Sequence, residues 1–199
     1  MAKKLESNFI NMVTVLFTIS LIASAGVAYV YTLTQGPIEA AAQHKQQEAI
    51  SNVLPGEFDN DPSADMMTQK VGDDVLELYP ATLNGKLTGT AVKSFSNNGF
   101  NGRVEVMVGF TPDGAINDYS VLLNKETPGL GNKMSFWFKE GNPGNVKGMT
   151  PGEAGLKVRK DGGKVDAISA ATISSRAFVD AVNRAAKALE NAKSDNSKQ

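Results

Sequence analysis

The chain has 199 residues, with 20 Lys and Arg against 21 Asp and Glu, a formal net charge of −1, one His and no Cys. That balance provides no basic footprint for nucleic acid, and the missing thiols exclude disulfides, iron–sulfur ligation and thiol catalysis. Any electron this chain carries must therefore ride on an organic cofactor.

Residues 1–8 form a short N-terminus containing Lys3 and Lys4, and residues 9–33 contain no charged side chain. A run of this length exceeds the 20 or so apolar residues that cross a bilayer. Ala23-Ser24-Ala25 resembles a signal-peptide cleavage site, but apolar residues continue past it through Val27, Val30 and Leu33, which favours a retained transmembrane helix. No Lys or Arg follows until Lys45, so the positive-inside rule predicts a cytoplasmic N-terminus and a domain on the outer, periplasmic side. The span carries no internal charge to serve as an ion relay.

Residues 34–74 read as a helical stalk and loop. Gln35-Gly36-Pro37 predicts a break, residues 38–54 an Ala-rich polar helix ended by Pro55-Gly56, and residues 59–74 an exposed loop. The single His44 is too isolated for a metal site or a catalytic triad.

Residues 75–192 read as one folded domain. Strands are expected at 75–79 and 87–95; the alternation of residues 103–109 predicts a half-buried strand, Thr111-Pro112-Asp113-Gly114 a turn, and 116–123 the returning strand. A further hairpin is expected from 156–159 to 165–168 around Gly162-Gly163. A helix over residues 173–192 places Phe178, Val182, Ala185 and Leu189 on one stripe, and residues 193–199 form a polar tail. Strands first and a long helix last predict an α+β fold, an antiparallel sheet with packed helices, preceded by one transmembrane helix.

Two stretches carry chemistry. Ser169-Ala170-Ala171-Thr172 leads into the last helix, where unpartnered N–H groups and the positive dipole end favour a phosphate. Thr172 is thus a phosphate anchor or, on the plainer reading, Ser169 or Thr172 is an N-cap. Glu126-Thr127-Pro128-Gly129-Leu130-Gly131 is either a turn or a loop whose glycines let backbone approach a ligand. Arg176 and Lys164 are either phosphate partners or solvated charges, and Phe136 and Trp137 are assigned no cofactor role. A hydrolase built on Ser169 or Ser174 lacks a base. No catalytic or metal-ligating residue is assigned.

The stretch Asp161-Gly162-Gly163-Lys164-Val165-Asp166 with Ser169-Ala170-Ala171-Thr172, taken with Glu126 to Gly131 and Phe100-Asn101-Gly102, resembles the FMN-binding domains of the Rnf complex G subunit and the Nqr complex C subunit. The G branch is preferred for its compact domain and short tail. The resemblance implies one FMN per chain, joined by a phosphoester bond to Thr172 by a flavin transferase of the ApbE type. It also implies that Ser169, Ala170, Ala171, Glu126, Thr127, Gly129, Leu130 and Gly131 surround the flavin. It further implies an electron carrier in an inner-membrane, ion-translocating complex with other membrane subunits as partners. The family usually has Gly where this chain has Ala170, and often a His where it reads Asn124-Lys125. A non-redox assembly module or a noncovalent FMN sensor would bind no flavin covalently.

Overall fold

The computed structural model describes residues 8–152 and 154–196. They divide into two compact units between His44 and Lys45, and helix α1 (Phe9–Val53) is shared between them.

Over residues 9–33 α1 is uncharged, with Phe9, Leu16, Ile22 and Val30 among its exposed side chains. Its polar side chains turn inward on the helix: Thr14, Thr18, Thr32 and Thr34 each donate a hydroxyl to a carbonyl three or four residues back. A helix that satisfies its own polar groups and is long and apolar enough to cross a membrane is a candidate span. The break expected at residues 35–37 is absent. Pro37 lies inside α1 and forfeits one N–H donor, while the Ala-rich segment after it holds the helical geometry.

The second unit is a five-stranded antiparallel sheet in the order β1 (Met67–Val71), β2 (Asp74–Leu83), β3 (Lys86–Gly99), β4 (Gly102–Phe110) and β5 (Ile116–Leu123). Every connection is to a sequence neighbour, so hairpin turns build the whole sheet. The β4–β5 turn closes through Gly114 N–H to Thr111 C=O at 2.9 Å, with Gly114 at φ 92°. β1 lies inside the stretch read as an exposed loop. The hairpin expected at 156–168 reduces to one bridge, between Val158 and Val165, because Arg159–Asp161 forms a 3-10 turn.

Both faces of the sheet are covered. Helix α3 (Thr172–Asn196) lays Phe178, Val182, Ala185 and Leu189 against Val92, Val104, Val106 and Val108; burying a side chain such as Phe178 contributes about 1.5–3 kcal/mol. Buried hydroxyls fix its register, Ser94 donating to the Ala181 carbonyl at 2.7 Å and Ser96 to Asp180 at 2.6 Å. On the opposite face Ala49, Ile50, Val53 and Leu54 pack on Tyr79, Ala81, Ala91 and Met107, so the end of the expected stalk belongs to the domain core. Gly109 permits this: a Cβ there would collide with the Val53 carbonyl.

The segment after β5 is held from below. A short helix α2 (Met134–Trp137) is fixed by the buried Tyr119 hydroxyl, which donates to the Met134 carbonyl at 2.6 Å and accepts from Phe138 N–H at 3.2 Å. Phe138 in turn stacks on Phe178 at 4.1 Å between ring centroids. The loop that precedes α2 is thereby registered against the start of α3.

Candidate functional site

Three segments meet at the end of the sheet where α3 begins. The β3–β4 turn contributes Phe100, the loop between β5 and α2 contributes Glu126, Thr127, Leu130 and Gly131, and residues 170–174 contribute the entrance to α3. Together they line a cavity of about 310 Å³, at the lower end of the usual range for small-molecule sites, roughly 300–1,000 Å³. Phe100 is 65% exposed, Ile173 48% and Leu130 40%, an apolar rim that a planar ring system would cover.

Glu126 ties the three segments together. Only 5% exposed, its carboxylate accepts from Ser174 Oγ at 2.5 Å and from Asn101 N–H at 3.2 Å. It fits because Gly99 and Gly131 have no side chains; a Cβ on either would press on a Glu126 oxygen at 2.7 Å. Asn101 also reaches Thr127 Oγ1 at 3.4 Å.

The entrance to α3 is a tight turn. Ala171 N–H donates to Ile168 C=O at 3.0 Å, and Ala170 within that turn sits at φ 61°, a left-handed conformation that costs an L-residue about 1 kcal/mol and favours Gly. Ser175 braces the turn, accepting from Ile168 N–H and donating to Ala171 C=O, both at 2.9 Å. Trp137 supports the segment leading in, its Nε1–H donating to the Asp166 carbonyl at 2.9 Å. Ala171 C=O accepts the first helical bond, from Ser175 N–H, so neither Ser169 nor Thr172 is the N-cap. Among the described residues, the N–H groups of Thr172, Ile173 and Ser174 meet no acceptor. They are the orphan donors of a helix start, and Thr172 is its first residue.

The charges around Thr172 are ordered. Arg176 grips Asp161 with two hydrogen bonds at 2.8 and 2.6 Å; this bond holds the Asp161 carboxyl below its ordinary range and raises the Arg176 guanidinium. Arg159 is paired with the Asp166 carboxylate, which raises its guanidinium likewise. Lys160 points elsewhere: its Nζ donates to Thr172 Oγ1 at 3.2 Å. No cluster of metal-ligating side chains occurs among the described residues.

Residues 99–187 match the FMN-binding domain family. The G subunit of the ion-translocating oxidoreductase complex of Cereibacter sphaeroides is 37% identical over 172 residues, covering 83% of this chain and 77% of that protein. The G subunit of the Vibrio cholerae complex is 32% identical over 181 residues, covering 86% and 85%, and that of Aliivibrio fischeri 33% over 184 residues, covering 88% and 86%. The chain belongs to the family of G subunits of ion-translocating oxidoreductase complexes. Of the two branches that its motifs resemble, this is the Rnf G branch.

In this G-branch chain, seven of the residues singled out by motif line the same cavity: Glu126, Thr127, Leu130, Gly131, Ala170, Ala171 and Thr172. Ser169 and Gly129 do not line it; Ser169 is exposed beside the entrance turn, and Gly129 turns the loop at φ 77°. Arg176, weighed as a phosphate partner, is committed to Asp161. Sequence reasoning gives no cofactor role to Phe100, Ile173, Ser174 or Lys160. Phe100 stands in a quoted motif, but its place on the rim follows only from the β3–β4 register, and Lys160 reaches Thr172 only because residues 159–163 turn back.

The residues present fit a flavin mononucleotide by their own chemistry. Unpartnered N–H donors, a cation and a hydroxyl stand at one end of a largely apolar cavity, as a phosphate joined to a ring system requires.

Proposed function

We propose that this chain is the membrane-anchored flavoprotein subunit of an Rnf-type electron transport complex, holding FMN through a phosphoester bond to Thr172. The observation that carries the reading is the placement of the Thr172 hydroxyl: it lines the cavity, at the first residue of α3, beside three N–H groups that meet no acceptor among the described residues. The match to the FMN-binding domain and the relatives named above support both the cofactor and the setting in a multisubunit complex.

When bound, FMN supplies the redox chemistry, accepting and releasing electrons one or two at a time. The chain's own part is retention and placement. The α3 entrance offers the phosphate its donors, Phe100, Leu130 and Ile173 offer apolar cover that keeps water from a ring, and Glu126 fixes the three segments that form the walls. A covalent link makes retention intramolecular, so dilution cannot remove the cofactor. Attachment requires a flavin transferase of the ApbE type as a transient partner. One flavin per chain follows from one such threonine.

The apolar part of α1 anchors the domain to the inner membrane in a single pass. The Lys3–Lys4 pair before the span supports a cytoplasmic N-terminus and a periplasmic flavin domain. Other subunits move the ion, since residues 9–33 bear no charge.

The test is flavin fluorescence after denaturing electrophoresis of chain coexpressed with the transferase. A fluorescent band at the chain's mass is expected, absent from Thr172→Ala. Release of all flavin into the supernatant on acid precipitation would instead identify a noncovalent site.

A further inference from the structure

Residues 157–176 contain five basic and two acidic side chains. The two acids are taken by the two arginines, Asp161 by Arg176 and Asp166 by Arg159. Of the lysines that remain, Lys160 alone among the described residues is bonded to Thr172, with Nζ 3.2 Å from Oγ1.

That position is built. Lys160 lies in the 3-10 turn Arg159–Asp161, and the turn is pinned at its base by three backbone bonds: Arg159 N–H to Val165 C=O at 2.9 Å, Gly163 N–H to Val158 C=O at 3.1 Å and Val165 N–H to Lys157 C=O at 3.2 Å. Val158 and Val165, which form the bridge below it, are each 1% exposed. Gly162 closes the turn at φ 80°, and a Cβ on Gly163 would collide with the Lys157 carbonyl. The Asp161–Arg176 pair then ties the turn to the first turns of α3. The backbone that carries Lys160 is thus fixed relative to Thr172, and its flexible side chain bridges the short remaining distance.

From this arrangement we infer that Lys160 is the countercharge of the phosphate ester at Thr172, a role that rests on the ester reading above. Before attachment its ammonium holds the threonine hydroxyl at the cavity. Afterwards the same ammonium faces a phosphodiester, an anion with two non-bridging oxygens that accept charge-assisted hydrogen bonds. Without it the new negative charge would share the cavity with the buried Glu126 carboxylate, with the backbone donors of the α3 entrance left to offset it. Lys suits the place better than Arg because its ammonium is a compact point charge on a flexible stem, and both local arginines are already paired with carboxylates.

The experiment uses the full chain in detergent, coexpressed with the flavin transferase, as wild type, Lys160→Met and Lys160→Arg. Intact mass reads the fraction modified at limiting transferase, and phosphorus NMR reads the environment of the ester. A phosphodiester carries a single charge, so a displacement of its resonance between wild type and Lys160→Met reads the loss of the neighbouring ammonium. Lys160→Met should show that displacement, whereas Lys160→Arg should stay close to wild type because a guanidinium also donates charge-assisted hydrogen bonds to the phosphate oxygens. Modification of Lys160→Met should fall by about tenfold, the value of one charged hydrogen bond, with Lys160→Arg close to wild type. A Lys160→Met chain with the resonance and modified fraction of wild type, or a Lys160→Arg chain displaced as far as Lys160→Met, overturns the assignment while leaving the ester intact. A wild-type chain that gains no mass overturns the ester reading and this role with it.

Discussion

Ser174 donates its hydroxyl to the buried carboxylate of Glu126 at 2.5 Å, across 48 positions of sequence. This bond joins the loop that follows the sheet to the first turn of α3, and the other carboxylate oxygen accepts from the backbone of the β3–β4 turn. One side chain therefore sets the spacing of all three walls of the cavity.

Replacing Glu126 separates size from charge. Glu126→Ala leaves Ser174 Oγ–H and Asn101 N–H without acceptors and opens a void, and should lower stability by about 2–4 kcal/mol in urea unfolding. Glu126→Gln keeps the volume and one acceptor and should lose about half as much. Equal losses for the two variants would show that the carboxylate's acceptors carry the whole effect and the void adds nothing, while no loss in Glu126→Gln would show that shape alone matters.

Ala170 pays a backbone cost that glycine would avoid. Relief of its left-handed strain is worth about 1 kcal/mol or a little more, offset in part by the added freedom of Gly in the unfolded chain. Ala170→Gly should therefore stabilise the domain by about 0.5 kcal/mol, and Ala170→Val should destabilise it by roughly 1 kcal/mol or more, since β-branching resists this conformation. A loss of stability in Ala170→Gly, measured by thermal melting, would mean that the methyl makes a contact outweighing its strain.

Much of the fold could be read directly in the chain. The valines at 104, 106 and 108 alternate onto the α3 face, and Phe178, Val182, Ala185 and Leu189 meet them, because a half-buried strand and an amphipathic helix write their period into the sequence. β1 was not legible: Met67-Thr68-Gln69-Lys70-Val71 buries only Val71 and carries edge-strand polarity. Val158 and Val165 looked like parts of two strands, but the 3-10 turn between them leaves room for a single bridge. The site divides the same way. Its two loops carry contiguous motifs, while the contacts from Glu126 to Ser174 and from Lys160 to Thr172 are products of chain reversal that no local pattern encodes.

The end of α1 is core, and truncation should show it. A chain starting at Lys45 retains Ile50 and Val53 over Tyr79, Ala91 and Met107 and should fold as a soluble domain with a cooperative melt. One starting at Pro55 uncovers that face and loses about 5 kcal/mol or more of burial, with aggregation expected. Identical melting of the two would contradict the packing of residues 49–54 on the sheet.

The Asp161–Arg176 pair has a definite pH signature. Its carboxyl is held below the ordinary value by the Arg176 hydrogen bond, so its contribution is fully present above the unfolded value near pH 4 and is lost as pH falls through the depressed folded one. Asp161→Asn should thus melt below wild type at neutral pH by a small, salt-sensitive margin that disappears under more acid conditions. A margin that grows on acidification would have the opposite sign to this linkage.

The central claim concerns one oxygen atom, Thr172 Oγ1, and intact mass reads it most directly. Full-length chain coexpressed with the flavin transferase should gain the mass of one FMN less one water, with peptide mapping placing the gain on Thr172 and Thr172→Ala showing none. An unmodified mass in the wild type, or an equal gain in Thr172→Ala, would contradict the account.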